Sequence, residues 1–248
     1  RSVYVLNNQS IDLDMTGHII SEKLRASAPF VLKDTYNQLL SKNQIDVSNG
    51  KKKLRALAAS LIESVDFKMK HPPNILDLKR QDDYLYQHAI NVAAYAILIG
   101  QSIGYHQMKL FDLTLSALLY DFGMMFIDDD ILNKATHLDA KEFEKVKQHT
   151  VLGFQHLGRN CFLKGLITVV ALQHHERFDG SGYPQNMAGT DIHEYSRIVA
   201  LADFFDAYTS DRPYRGLHSI VEAVDYIKEQ DGKEFDPRIV KHFLSYFE

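Results

Sequence analysis

Apolar residues recur at three- and four-residue steps from residue 51 onward. Leu54, Leu57, Ala58, Leu61, Val65 and Met69 line up as one stripe, which predicts a helix with a single buried face. His71-Pro72-Pro73 ends it, because proline disfavours helical geometry in the residue before it. A second helix is predicted from about Asp82 to Ile103 and a third from about Met108 to Tyr120. Asp139 with Glu142 reads as a capping box, and Leu138 with Phe143 as a hydrophobic staple, at the start of a helix that carries His149 and His156. A helix from about Leu163 leads into His174-His175, and another runs from about Tyr195 through Ala207. Ser219 with Glu222 reads as a further capping box before Val224 and Ile227. Asp236-Pro237 opens a last helix, with Ile239, Val240, Phe243, Leu244 and Phe247 inward; proline suits a first helical position through its fixed φ. The class is all-α beyond residue 50.

The first 45 residues lack this periodicity and form an N-terminal segment or small subdomain (1–45) ahead of a helical domain (46–248). Val3 to Leu6 reads as a short strand and Asn7-Asn8 as a turn. Ala28-Pro29-Phe30 reads as a break before a helix from Lys33 to Ser41.

Composition narrows the class. Of 248 residues, 45% are hydrophobic and 24% charged, as in a globular protein with a real core. A net charge of -4 gives no case for a DNA or RNA polymer as partner. The uncharged run from Ala89 to Tyr105 contains Asn91, Gly100, Gln101, Ser102 and Gly104. It falls short of the about 20 predominantly apolar residues a bilayer span needs, so a buried helix is expected there. A single cysteine, Cys161, forms no internal disulfide, and Arg1 to Ser10 has no leader-like pattern. Both fit a cytoplasmic setting.

The chemistry lies in histidines and aspartates. Neutral imidazole and carboxylate together suit zinc, iron, manganese and related ions. His88 sits among Ala and Val, where an imidazole needs a partner, either a metal or a carbonyl. Asp121 follows an apolar run at a helix end and also reads as a plain turn aspartate. His149 follows Val146 at an inward-facing step. His174-His175 can both face one site only at a terminal or irregular helix turn. Asp203 lies between Ala202 and Phe204-Phe205, and a buried carboxylate needs a cation or hydrogen bonds.

Taken together, these residues resemble the HD-GYP family, the bacterial branch of the HD phosphohydrolases that hydrolyses cyclic di-GMP. The resemblance runs from about Asn43 to Phe247. It is most specific in His174-His175-Glu176-Arg177-Phe178-Asp179-Gly180-Ser181-Gly182-Tyr183-Pro184, in Arg197 to Asp203, and in Ser210-Asp211-Arg212-Pro213-Tyr214-Arg215. Ile131-Leu132-Asn133-Lys134 and Glu234-Phe235-Asp236-Pro237 also match family segments. It implies a helical bundle around two divalent transition metals, iron or manganese, that act on a phosphodiester. By position, His88 and Asp203 match ligands of the first metal, and Asp121 matches the bridging carboxylate. His149, His174 and His175 match ligands of the second metal. Arg212 and Arg215 match basic positions facing phosphate. Gly180, Gly182, Tyr183 and Pro184 match the signature loop, with Tyr183 contacting ligand or a partner domain, or simply packing.

The chain departs from the family at its eponymous pair. Tyr120-Asp121 stands for His-Asp, and Met124 stands where the family has lysine. A phenol with an ordinary pKa of about 10 is a poor ligand, and methionine carries no charge. Tyr84, one turn before His88, stands where members with a third metal have glutamate, so no third metal is expected. The resemblance therefore implies one well-held ion and a weak or absent second. It implies a domain that binds cyclic di-GMP or a partner with weak or no hydrolysis. The alternatives are an active phosphodiesterase giving pGpG or GMP, and an adaptor docking diguanylate cyclase domains. A homodimer is a further expectation.

Overall fold

The computed structural model describes residues 19–65, 84–132, 134, 136–163, 165–210 and 220–247, together with the backbone of 5–6 and 9–10. Among these residues the chain is a helical bundle. Its helices are α1 (Glu22–Leu40), α2 (Gln44–Ser64), α3 (Tyr84–Ser102), α4 (Gln107–Ala117), α5 (Asp129–Leu132), α6 (Ala140–Arg159), α7 (Leu166–Gln173), α8 (Glu194–Thr209), α9 (Ile220–Glu229) and α10 (Pro237–Leu244). Two short strands, β1 (Val5–Leu6) and β2 (Gln9–Ser10), pair antiparallel, with Val5 opposite Ser10 and Leu6 opposite Gln9. The predicted turn Asn7-Asn8, Met69, His71-Pro72-Pro73, the helix start at Asp82 and the Ser219 cap lie outside the described residues.

The apolar stripe of α2 is buried at Leu54, Leu57, Ala58 and Leu61. Asn43 caps this helix by accepting from the Ile45 amide at 2.9 Å. The predicted break at Ala28-Pro29-Phe30 is absent. Pro29 lies inside α1, which starts at Glu22 and buries Ala28, Pro29, Leu32, Tyr36 and Leu39. An interior proline costs about 3 kcal/mol through its missing N–H and its ring. Here the apolar face packed along α2 outweighs that cost. Residues 22–40 thus share one core with the rest of the bundle.

Helix α3 is apolar on all sides, so it is central rather than amphipathic. Every residue from Tyr86 to Gly100 is buried, and α1, α2, α4, α8 and α10 pack around it. That placement accounts for the uncharged run from residue 89. No helix among the described residues is long and apolar enough to cross a membrane.

Two sequence-encoded starts appear as the side chains dictate. Asp139 accepts from the Glu142 amide while Glu142 accepts from the Asp139 amide, each at 2.8 Å. Asp236 caps α10 by accepting from the Arg238 amide at 2.8 Å, with Pro237 in the first turn. Asp236 is also paired with Arg197 of α8, which fixes α10 against that helix.

The predicted third helix ends earlier than its apolar pattern suggests. Helix α4 stops at Ala117. Leu118 to Asp121 form turns, and a 3-10 helix follows from Phe122 to Phe126. Tyr36 of α1 donates its hydroxyl to the Leu118 carbonyl at 2.9 Å and packs edge-on against Phe122. The turn that carries Tyr120 and Asp121 is therefore clamped from the N-terminal helix.

Candidate metal centre

Five elements bring the candidate ligands together: the first half of α3, the turn after α4, the middle of α6, the end of α7 and the middle of α8. His174 is the C-cap of α7, and the helix stops at Gln173. Ending there lets adjacent imidazoles turn toward one site. The ring centroids of His174 and His175 are 4.2 Å apart.

His149, His174 and His175 form a compact group, their nearest ring nitrogens all within 4.8 Å of one another. Backbone carbonyls set the tautomers. The Nδ1–H of His149 donates to the Val146 carbonyl at 2.5 Å, and that of His174 faces the Val170 and Ala171 carbonyls at 3.2 and 3.1 Å. A neutral imidazole has one N–H, so both Nε2 atoms then present lone pairs. These atoms lie 3.2 Å apart, with Asp121 Oδ1 at 3.3 Å from His149 Nε2 and 3.9 Å from His174 Nε2. Two lone pairs and a carboxylate oxygen converging in a buried pocket repel one another and are satisfied by a cation. The donor set therefore fits a metal ion, with the Val146, Val170 and Ala171 carbonyls orienting the His149 and His174 rings as in known histidine sites. Burial, followed by the neighbouring His149, lowers the His174 pKa to about 3. Burial and His174 likewise push His175 well down. Both rings stay neutral, as ligands must.

That depression has a measurable consequence in the metal-free chain. Unfolded histidine titrates near 6.5, so below that pH the unfolded state binds a proton that folded His174 refuses. Stability should fall by up to about 1.4 kcal/mol per pH unit from this residue as pH drops from 6.5 toward 4. Chemical denaturation of the chelator-treated chain at pH 7 and pH 5 checks this. The His174→Gln variant should show a shallower loss; an equal loss in both would remove His174 as the cause.

His88 and Asp203 lie together in a second group. His88 Nε2 is 2.8 Å from Asp203 Oδ1 and its Nδ1 is 2.6 Å from Asp206 Oδ2. Asn91 donates to the other Asp206 oxygen at 3.0 Å, and Tyr84 stacks on the His88 ring at 5.4 Å. Burial opposes charge on His88, but the two carboxylates outweigh it and hold its pKa well above the ordinary range. Burial likewise works against the Asp203 carboxylate, and the His88 hydrogen bond overrides it, holding Asp203 well below the usual range.

Tyr120 stands between the two groups. Its ring packs edge-on against His174 at 4.9 Å and against His88 at 6.3 Å. Its hydroxyl donates to Asp203 Oδ1 at 2.8 Å. Burial and the charges of Asp203 and Asp121 push this phenol well above its ordinary pKa, so it remains an O–H donor. Met124 sits one turn on, in the 3-10 helix. At Gly123 the backbone presses on α6: a Cβ there would overlap the His149 carbonyl oxygen.

The loop after the histidine pair is pinned from beneath. Glu176 is buried, and its carboxylate accepts from the amides of Gln185 at 2.7 Å and Met187 at 3.0 Å. The Tyr183 amide donates to the His175 carbonyl at 3.1 Å. Gly180 has φ +85, and a Cβ on Gly182 would collide with the backbone of His175 to Arg177. The Phe178 and Asp179 amides donate to the Glu234 and Lys233 carbonyls, tying the loop to the turn before α10. Tyr183 stacks on His175 with centroids 4.7 Å apart, and the Tyr183-Pro184 peptide is cis.

Arg212 and Arg215, the candidate phosphate contacts, lie outside the described residues. Sequence reasoning missed Asp206, Asn91 and Glu176. Asp206 carried a usable signal, since it lies three residues after Asp203 on the same face of a helix.

The geometry agrees with what comparison finds. A family model described as HD domain matches residues 35–239. A cyclic di-GMP phosphodiesterase from Pseudomonas aeruginosa is 34% identical over 76% of this chain and 46% of its own length. A cyclic di-GMP phosphodiesterase from Thermotoga maritima is 38% identical over 66% of this chain and 45% of its own length. A 3'3'-cGAMP-specific phosphodiesterase of Vibrio cholerae is 31% identical over 71% of this chain and 41% of its own length. The chain thus spans about half the length of the curated relatives it matches. Among solved structures, an HDG"Y"P protein from Bdellovibrio bacteriovorus shares the fold, with a TM-score of 0.65 and 18% identity over 93% of this chain and 73% of that one.

Proposed function

Since the chain belongs to the HD domain family, in its HD-GYP branch, we propose that it is a cytoplasmic signalling domain that binds a cyclic dinucleotide around one metal ion and hydrolyses it weakly or not at all. The observation that carries this reading is the Tyr120 hydroxyl, hydrogen-bonded to Asp203 Oδ1 at 2.8 Å. At that point the family resemblance calls for an imidazole lone pair. A protonated phenol offers a donor to the carboxylate and weak lone pairs to a metal.

The two halves of the site then do different work. His149, His174, His175 and Asp121 would hold the ion; iron or manganese matches both the donor set and the family resemblance. When bound, the ion supplies charge neutralisation and Lewis acidity toward a phosphate oxygen. His88, between Asp203 and Asp206, and Tyr120, donating to Asp203, would leave the first metal position with an incomplete ligand set. Met124 leaves the adjoining turn without the cation that would meet phosphate. Binding survives this loss because affinity is spread over many contacts. Turnover does not, because it depends on charge stabilised in the transition state. Relatives named for cyclic di-GMP and for 3'3'-cGAMP support the cyclic dinucleotide class.

The test is metal analysis with calorimetry. The chain loaded with Mn²⁺ or anaerobic Fe²⁺ should retain about one ion and bind cyclic di-GMP. A retained count above about 1.5 per chain would overturn the single-ion assignment, since a closed ligand set outcompetes an incomplete one. No binding of cyclic di-GMP with or without metal would overturn the ligand assignment and leave the docking of a diguanylate cyclase domain to be tested by pull-down.

A further inference from the structure

We propose that Lys147, held between the rings of Phe143 and Tyr183 at the edge of the histidine cluster, contacts a ligand phosphate while the exposed Phe143 ring stacks on a ligand base. This rests on the cyclic dinucleotide reading above and adds two ligand-contacting residues to it.

Three observations converge on this mouth. First, the rings form a connected array leading out of the metal centre. Tyr183 stacks on His175 at 4.7 Å, and Phe143 meets Tyr183 edge-on at 6.5 Å. Second, the Lys147 ammonium lies 4.9 Å from the Phe143 ring and 5.3 Å from the Tyr183 ring. Two π faces within about 6 Å hold a cation in place, whereas a lysine on a bare helix surface samples many rotamers. Third, Phe143 is 46% exposed, so a large apolar ring is left facing solvent beside a polar site. Residues 143 and 147 are one helical turn apart on α6 and present to the same side, and His149 follows two residues later on the same helix.

The chemistry matches the ligand class. A cyclic dinucleotide presents phosphates and flat bases, and single-stranded nucleotides are held by a cation near the backbone and an aromatic face for the base. The charge lost at Met124 is thus replaced, for binding, from a different element. Glu144 competes for the ammonium at 2.6 Å, but its side chain is 64% exposed, and an exposed ion pair of this kind contributes little, so a phosphate can displace it.

The experiment is calorimetry of the full metal-loaded chain with cyclic di-GMP, with metal content measured in parallel. Lys147→Met keeps the aliphatic stem and removes the charge; it should weaken binding on the order of tenfold, and Lys147→Arg should restore most of it. Phe143→Ala should also weaken binding on the order of tenfold, by loss of base stacking. All three variants should retain the native metal content. If the native chain binds but Lys147→Met and Phe143→Ala bind within twofold of it, this inference is wrong while the ligand reading stands. If a loss of affinity tracks a loss of metal, the residues act on the site and not on the ligand, which also overturns it. A native chain that does not bind cyclic di-GMP would overturn both.

Discussion

Tyr120→His combined with Met124→Lys should raise turnover of cyclic di-GMP on the order of 10²–10³-fold over the native chain in the presence of Mn²⁺ or anaerobic Fe²⁺, by analogy with the effect of single charge-stabilising groups in other enzymes. The reasoning is local. Tyr120 lies against both His174 and His88 and ties up Asp203 Oδ1. An imidazole in its place withdraws the phenolic donor from Asp203 and offers a lone pair beside His88. The lysine returns a positive charge to the turn that carries Asp121. Metal content should rise toward two ions as turnover rises. The single substitutions should give much less than the pair, since each leaves the other defect in place. Equal turnover in the native chain and the double variant would defeat the account of the altered pair.

The second large effect should come from a residue with no functional group at all. Gly123→Ala should cut metal retention to near zero and lower stability by at least about 1–3 kcal/mol, the usual range for forcing extra atoms into a packed interior. The added Cβ has nowhere to go, because the His149 carbonyl oxygen and the Gly153 amide already occupy its space. The obstacle is backbone, which cannot rotate aside. The 3-10 helix must lift off α6, and that motion separates Asp121 from His149, whose atoms are 3.3 Å apart. Metal analysis and thermal unfolding of the variant check this. Full metal retention at native stability would mean that the two elements are not in the contact described.

Much of the bundle was legible in the chain because its signals are local. The stripe Leu54 to Leu61 and the caps at Asp139 and Asp236 each depend on residues within one or two turns, and all appear as expected. The failures share a cause: they depend on partners distant in sequence. Pro29 looks like a break, and only the apolar face packed on α2 makes it tolerable inside α1. Leu118, Leu119 and Tyr120 are all buried, so the apolar run continues past the helix end without a visible change.

The site divides in the same way. His88, Asp121, His149, His174, His175 and Asp203 stood out as polar residues in apolar settings. The structure places His88 with Asp203, and His149, His174 and His175 with Asp121, in two adjoining groups. Their supporting groups were not visible. Asp206 reads as an ordinary helix carboxylate until its 2.6 Å contact with His88, 118 residues away in sequence, is known. Lys147 reads as part of a solvated helix face until the rings around it are known.

The clasp beneath the signature loop has a further consequence. Glu176 accepts two loop amides, and Gly182 allows the loop backbone to lie directly on the chain from His175 to Arg177. The loop's conformational entropy is therefore lost when the chain folds, not when something lands on it. A visitor to the Tyr183 face meets a surface already in its final shape, so it loses little affinity to ordering the loop. Variation in how long visitors stay should then reside in their departure rates, since a preformed surface leaves arrival rates much alike among related partners.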